Sequence, residues 1–216
     1  MRQLAALWCV GGVLVGSLAS CTPVSTPVAR EPVVGLPCEG CEAVFDGMPK
    51  ELSSSVRLGA ADEPGVPLRL TGVVRDEAGK PRGGIVLYFY QTDASGLYPP
   101  GGSGRTPDGK LHGRLRGWAR TGSDGTYTVE TIRPGGYPGD IEPEHIHIHV
   151  LEPGRCTYYI DDVVFEDDPR LTAGMRARQT GRGGPGIVMP TKDGEGRWIV
   201  TRDITLGKGI SGYPAR

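Results

Sequence analysis

Leu68-Arg69-Leu70-Thr71-Gly72-Val73-Val74, closed by Asp76-Glu77-Ala78-Gly79, is the stretch that decides the fold. Apolar and polar residues alternate at its start, the period of a half-buried strand whose side chains point to opposite faces in turn. The Asp-Gly-containing close reads as a turn. The next run, Ile85-Val86-Leu87-Tyr88-Phe89-Tyr90, is apolar on both faces and predicts a central, covered strand. Working outward, Trp118 to Thr121 and Thr126 to Ile132 flank Ser123-Asp124-Gly125 and read as a hairpin. Further strands are expected at His145 to Leu151, Tyr158 to Phe165 and Trp198 to Leu206. One helix is expected, from Pro169 to about Arg178 with Asp168 as its cap. Gly96 to Gly117 has no apolar period; a loop of that length is functional or disordered. Short strands at this spacing predict an all-β domain, a β-sandwich of two mostly antiparallel sheets with little helix. Two stacked sheets of this length bury an adequate core without a cofactor.

Composition agrees. Gly 35 and Pro 19 make up a quarter of the 216 residues. That fraction borders on disorder, but the glycines fall between runs rich in Val, Ile, Thr and Tyr, the arrangement of a turn-rich β protein. The formal net charge is −1 and no basic stripe exists, which argues against nucleic acid as a partner.

Met1-Arg2-Gln3 precedes an apolar run from Leu4 to Leu18. The run is short of the ~20 apolar residues of a spanning helix. A basic start, a short apolar core and a small-residue exit describe a secretory signal. The exit Leu18-Ala19-Ser20-Cys21 resembles the lipobox of bacterial lipoproteins, which implies acylation of Cys21 and anchoring in the cell envelope, at the outer membrane facing the periplasm. The expected organisation is a signal peptide over residues 1–20, a lipid-anchored tether with a Cys pair over 21–50, and the β-sandwich over 51–216. Cys38, Cys41 and Cys156 remain after cleavage and acylation. Cys38-Glu39-Gly40-Cys41, preceded by Pro37, reads as a loop with a structural disulfide; a redox pair or a zinc site is the alternative. The pairing of the three thiols stays open.

His145-Ile146-His147-Ile148-His149 carries the chemistry. In a strand the three His share one face and the two Ile the other. Neighbours on one face lie ~6.6 Å apart, so two imidazoles can converge on one metal ion at ~2.1 Å each. His149 is one step further and falls outside that ion's reach. The alternative is a row of His on a sheet face with no ligand. Arg133-Pro134-Gly135-Gly136-Tyr137-Pro138 sets Tyr137 on a rigid loop leading into this strand, and Tyr98 opens the long loop. Taken singly, each tyrosine reads as an amphipathic loop residue.

Together the segments resemble the intradiol ring-cleavage dioxygenases, which include the protocatechuate and catechol enzymes. The resemblance runs from about Leu68 to Pro169. It passes through Tyr90-Gln91-Thr92-Asp93-Ala94-Ser95-Gly96-Leu97-Tyr98, Thr121-Gly122-Ser123-Asp124-Gly125-Thr126-Tyr127, Thr131-Ile132-Arg133-Pro134-Gly135-Gly136-Tyr137-Pro138, Pro143-Glu144-His145-Ile146-His147 and Phe165-Glu166-Asp167-Asp168-Pro169, in family order. It implies non-haem ferric iron, Fe(3+), held by Tyr98, Tyr137, His145 and His147, on a β-sandwich that often assembles into homo-oligomers. It also implies that a catechol displaces Tyr137 and reacts with O2 to give a muconate-type diacid. Glu142 stands where the family has an Arg, and Asp162 where it has a Gln. Both belong to the expected catalytic surroundings with Tyr137, and both put negative charge where substrate charge builds. Two other readings share parts of this pattern: a non-catalytic prealbumin-like binding module, and a zinc or copper site made by the three His.

Overall fold

The computed structural model describes residues 30–38, 40–139 and 142–215. The expected signal sequence and Cys21 lie outside them. The strands are β1 (Ser55–Arg57), β2 (Pro67–Arg75), β3 (Val86–Gln91), β4 (Arg116–Arg120), β5 (Thr126–Ile132) and β6 (His145–Glu152). They continue with β7 (Cys156–Tyr159), β8 (Val163–Phe165), β9 (Ile187–Val188), β10 (Thr191–Lys192), β11 (Trp198–Thr201) and β12 (Ile204–Thr205). Two sheets form the sandwich. One runs β1-β5-β2-β11-β10, with β12 also on β2; the other runs β4-β3-β6-β8-β9, with β7 also on β6. Six of these pairings are antiparallel and four parallel, the parallel ones involving the short strands β1, β9, β11 and β12.

The inner faces make the main core. Leu68, Leu70 and Val129 from one sheet meet Leu87, Phe89, Ile146 and Ile148 from the other, all fully buried. Burying each such side chain contributes about 1.5–3 kcal/mol. Expectation and structure part at the turn Gly122–Gly125, which is present, closed by Gly125 N–H to Gly122 C=O at 2.9 Å. The strands it joins go to opposite sheets: β4 pairs with β3, and β5 with β2. The turn is thus a crossover rather than a hairpin.

β3 is buried on both faces, as its sequence predicts. Its outer side chains, Val86, Tyr88 and Tyr90, therefore need a cover. The cover is the chain before β1: a 3-10 helix over Cys41–Phe45 whose Ala43 and Val44 are fully buried against Val86, Tyr88 and Trp118. Trp118 Nε1 donates to the Val44 carbonyl at 2.7 Å. The stretch expected as a tether through residue 50 is thus packed on the domain from Glu31 onward, with Val33 bridging Thr157. Its apolar residues are what bury it. Cys38 and Cys41 form a disulfide, and Cys156 is free and buried.

The long loop is ordered too, with a short helix α1 (Pro107–Leu111) capped by the Thr106 hydroxyl, which accepts from Gly109 N–H at 3.1 Å. Asp46 moors it: its Oδ2 accepts from Arg105 N–H at 2.7 Å, and from Thr106 N–H and Thr106 Oγ1 at 2.8 Å each. The buried Arg116 guanidinium bridges the Asp46 carbonyl, the Gly109 carbonyl and Tyr88 Oη. Burial pushes the Asp46 carboxyl up, but the hydrogen bonds from Thr106 and Arg105 outweigh it and hold the group below its ordinary 3.8. A depressed folded value means the stabilisation is complete above the unfolded value and is lost as pH falls below it. We expect the thermal-midpoint gap between the native chain and Asp46→Asn to shrink as pH drops below about 4. A gap that stays constant from pH 7 to pH 2 would show that the carboxylate does not hold the loop.

The expected helix over 169–178 shortens to α2 (Ala173–Ala177), and its cap is Thr172, not Asp168. Asp168 is drawn away to accept from Glu144 N–H at 2.6 Å and Arg170 N–H at 2.9 Å.

Candidate metal centre

The outer face of β6 presents His145, His147 and His149, while Ile146 and Ile148 face the core, as strand alternation requires. Register sets His147 opposite Tyr90 on β3. Two loops at the strand ends bring in the tyrosines. After β3, Asp93 Oδ1 accepts from Ser95 N–H and Oγ and from Leu97 N–H, folding a tight turn before Tyr98. This turn lies on the Tyr137 loop: Gly135 N–H donates to the Asp93 carbonyl at 2.8 Å, and Thr92 Oγ1 to the Gly135 carbonyl at 2.7 Å. At Gly96 (φ 82°) a Cβ would stand 2.0 Å from the Gly136 carbonyl oxygen. Gly96→Ala should therefore force the two tyrosine loops apart, costing roughly 1–3 kcal/mol of stability and the alignment of both phenols. A variant with native melting would contradict this.

Four donor atoms converge. Tyr98 Oη lies 2.6 Å from Tyr137 Oη and 2.9 Å from His147 Nε2, which in turn lies 3.1 Å from His145 Nε2. The far side of each ring is fixed. His145 Nδ1 is 2.7 Å from the Pro143 carbonyl, and His147 Nδ1 is 3.0 Å from Asp162 Oδ1. Both partners only accept, so each Nδ1 carries a proton and each Nε2 is the nitrogen turned inward. Two imidazole nitrogens 3.1 Å apart with two phenol oxygens beside them make a donor set that fits a cation. Carboxylate and carbonyl partners behind ligating imidazoles are the usual device for orienting them. Burial keeps His145 neutral by lowering its pKa, and burial, reinforced by the hydrogen bond to Tyr137, pushes the Tyr98 phenol up. Burial also pushes Tyr137 up, with a smaller opposing effect from Tyr98 and contributions from Asp162 and Glu142.

The structure thus brings Tyr98, Tyr137, His145 and His147 together. Asp162 joins them as the partner of His147. The Asp162 carboxyl is held low against its own desolvation by that imidazole. Glu142 is exposed on the rim of a cavity of about 330 Å³ shared with Tyr137, His145 and Met175. Neither Arg133 nor Arg114 compensates these carboxylates: Arg133 pairs with Glu144 and Asp167, and Arg114 with Glu63. Arg178, just after α2, lines this cavity and a larger one of about 790 Å³ bordered by Tyr90, Tyr98, His147, His112 and Asp162. Sequence reasoning missed Tyr90 and His112. Tyr90 is sandwiched between His112 (centroids 3.6 Å apart, planes 2°) and His147 (4.3 Å, 17°). Its even spacing from Tyr88 on β3 was a usable signal; the position of His112 in the long loop gave none.

The family model described as Dioxygenase matches residues 46–180. A catechol 1,2-dioxygenase of Candida albicans is 33% identical over 102 residues, covering 40% of this chain and 32% of that protein. A chlorocatechol 1,2-dioxygenase of Rhodococcus opacus is 34% identical over 128 residues, covering 51% and 48%. The chain thus spans about a third to a half of the length of these relatives. Among solved structures, the dioxygenase domain of a dioxygenase carbohydrate-binding fusion from Streptomyces sp. SirexAA-E superposes with a TM-score of 0.56 at 29% identity, over 74% of this chain and 91% of that one. The fold is shared with a catechol 1,2-dioxygenase from Acinetobacter sp. ADP1, TM-score 0.56 at 23% identity. The chain belongs to the intradiol dioxygenase family.

Proposed function

We propose that this protein is a non-haem ferric iron dioxygenase that opens the ring of a catechol-like aromatic with O2, between the two hydroxylated carbons, to a muconate-type diacid. The observation that carries this reading is the convergence of Tyr98, Tyr137, His145 and His147, with both imidazoles turned inward by Pro143 and Asp162. The donor set fits Fe(3+): two phenolates are hard anionic ligands, and two neutral imidazoles complete them. Held by these residues, iron would supply the Lewis acidity that makes a catecholate reactive toward O2. The chain does the rest. Phenols held up by burial must release protons to ligate, so Tyr98 and Tyr137 each give up one at Oη. Tyr137 is half-buried beside the larger cavity, and its phenolate Oη accepts a proton from an incoming catechol hydroxyl. Asp162 keeps the proton on His147 Nδ1 and so keeps Nε2 aimed inward.

The cavity's charged groups bear on substrate choice. Asp108, Asp161 and Asp162 border it against Arg178, and Glu142 sits on the adjoining rim. Like charges ~4 Å apart at an effective dielectric near 20 repel by a few kcal/mol. Neutral catechol or a cationic catecholamine is therefore expected to be cleaved at least about tenfold more efficiently than anionic protocatechuate, since ~1.4 kcal/mol is a factor of ten. Oxygen uptake by iron-loaded protein with the three substrates measures this, and a preference for protocatechuate would sink the charge argument.

The whole reading is tested by iron analysis and a visible spectrum before and after adding catechol. One iron per chain with a burgundy tyrosinate band that shifts on catechol supports it. A colourless protein after iron loading, or a coloured one that consumes no O2 with any catechol, would overturn it. We further propose that Cys21 carries lipid in the bacterial envelope. Cys21→Ser should then release the protein in soluble form, and a native protein that already fractionates without detergent would refute this.

A further inference from the structure

β6 continues past the four-donor cluster to His149, which that cluster does not use. A ring nitrogen of His149 and the sulfurs of Cys38 and Cys41 all lie within 4.8 Å of one another. His149 is 2% exposed, and its Nδ1 has no hydrogen-bond partner. Buried polar nitrogens are nearly always satisfied, so an unpartnered one on a ring set beside two sulfurs calls for an explanation. The two Cys have the two-residue spacing of soft-metal knuckles, with Cα atoms 5.7 Å apart. Cys41 is 2% exposed and Cys38 is half-buried, so one of the two sulfurs is shielded from water.

We propose that, once the Cys38–Cys41 disulfide is reduced, Cys38, Cys41 and His149 form a second metal site that takes monovalent copper. Two thiolates and an imidazole are a soft donor set, which selects Cu+ or Zn2+ over the hard ions suited to phenolates. Structural zinc asks for four ligands; three soft donors without a fourth suit Cu+. The chemistry balances. A trialkylphosphine reduces the disulfide by passing it two electrons, becomes the phosphine oxide with an oxygen from water, and leaves two thiols. Cu+ then displaces one proton from each thiol and stays monovalent. Strand geometry keeps the two sites apart, because His147 and His149 project from the same face ~6.6 Å apart.

The test uses the full chain, reduced with phosphine, desalted without air and titrated with Cu+ against bicinchoninate. One copper per reduced chain and none in the disulfide form is expected. Even outer-shell partners contribute about 10–100-fold to metal affinity, so His149→Ala should weaken copper binding by at least roughly tenfold. Cys38→Ser, at the less buried end of the pair, should do the same and serves if His149→Ala fails to fold by circular dichroism. A His145→Ala/His147→Ala double variant should still take up one copper, which separates this site from the iron reading. The proposal is overturned if reduced native protein takes up no copper, if the disulfide form takes up as much, if the double variant loses it, or if a folded His149→Ala or Cys38→Ser chain binds it as tightly as the native one.

Discussion

Exchanging His147 for Ala is expected to strip iron from the protein and abolish ring cleavage. His147 Nε2 touches both Tyr98 Oη and His145 Nε2, so its loss opens the centre of the donor set rather than its edge. Metal affinity should fall by more than about 100-fold, beyond the 10–100-fold typical of an outer-shell partner. Asp162→Ala should stay within that outer-shell range, because it frees the His147 ring to turn without removing the ligand. His149→Ala should keep its iron. Iron content after gel filtration, with the tyrosinate band as a second readout, ranks the three variants. Equal iron loss in His147→Ala and His149→Ala would mean that the two imidazoles have been assigned to the wrong ion.

Arg202→Met is expected to cause the largest loss of stability. Arg202 is 1% exposed, and its guanidinium donates to the carbonyls of Gly183, Asp203, Asp161, Arg182 and Gly184. Its own carbonyl accepts from Tyr127 Oη at 2.6 Å. A methionine fills much of the volume but leaves those carbonyls without their donor. Leaving a buried acceptor without its donor costs about 1–3 kcal/mol, and here several carbonyls lose theirs together. Denaturant titration reads this directly, and a loss below about 1 kcal/mol would show that water replaces the guanidinium. Because Arg202 also grips Asp161, the neighbour of Asp162, the variant should bind iron more weakly even where it remains folded.

The position of Arg202 shows where the sequence was legible. Alternation in β2 and β6 and the unbroken apolar run of β3 marked these strands nearly to the residue, because their side chains answer to one sheet face or two. The runs Tyr158–Phe165 and Trp198–Leu206 each read as one strand and are in fact broken, into β7 and β8 and into β11 and β12. Both breaks fall at charged doublets, Asp161-Asp162 and Arg202-Asp203, whose side chains leave the ladder for partners elsewhere. A charged pair inside an apolar run was the available sign. The four converging side chains were legible through family motifs, and the two His through their spacing alone. Asp162 was singled out, but its place behind His147 follows from the break in the strand. The cover over Tyr88 and Tyr90 and the meeting of His149 with Cys38 and Cys41 depend on chain segments far apart in sequence, and no local pattern reports such contacts.

The larger cavity is walled in part by Pro37 and Gly40, which precede the first strand of the sandwich. Under the proposed function, Pro37 and Gly40 would help set which aromatics fit. Exchanges at Pro37 and Gly40 are expected to reshape the cavity while Tyr98, Tyr137, His145 and His147 stay in place. Directed variation at these two positions, which leaves Cys38 in place, is where the proposed range of aromatics would be most readily widened.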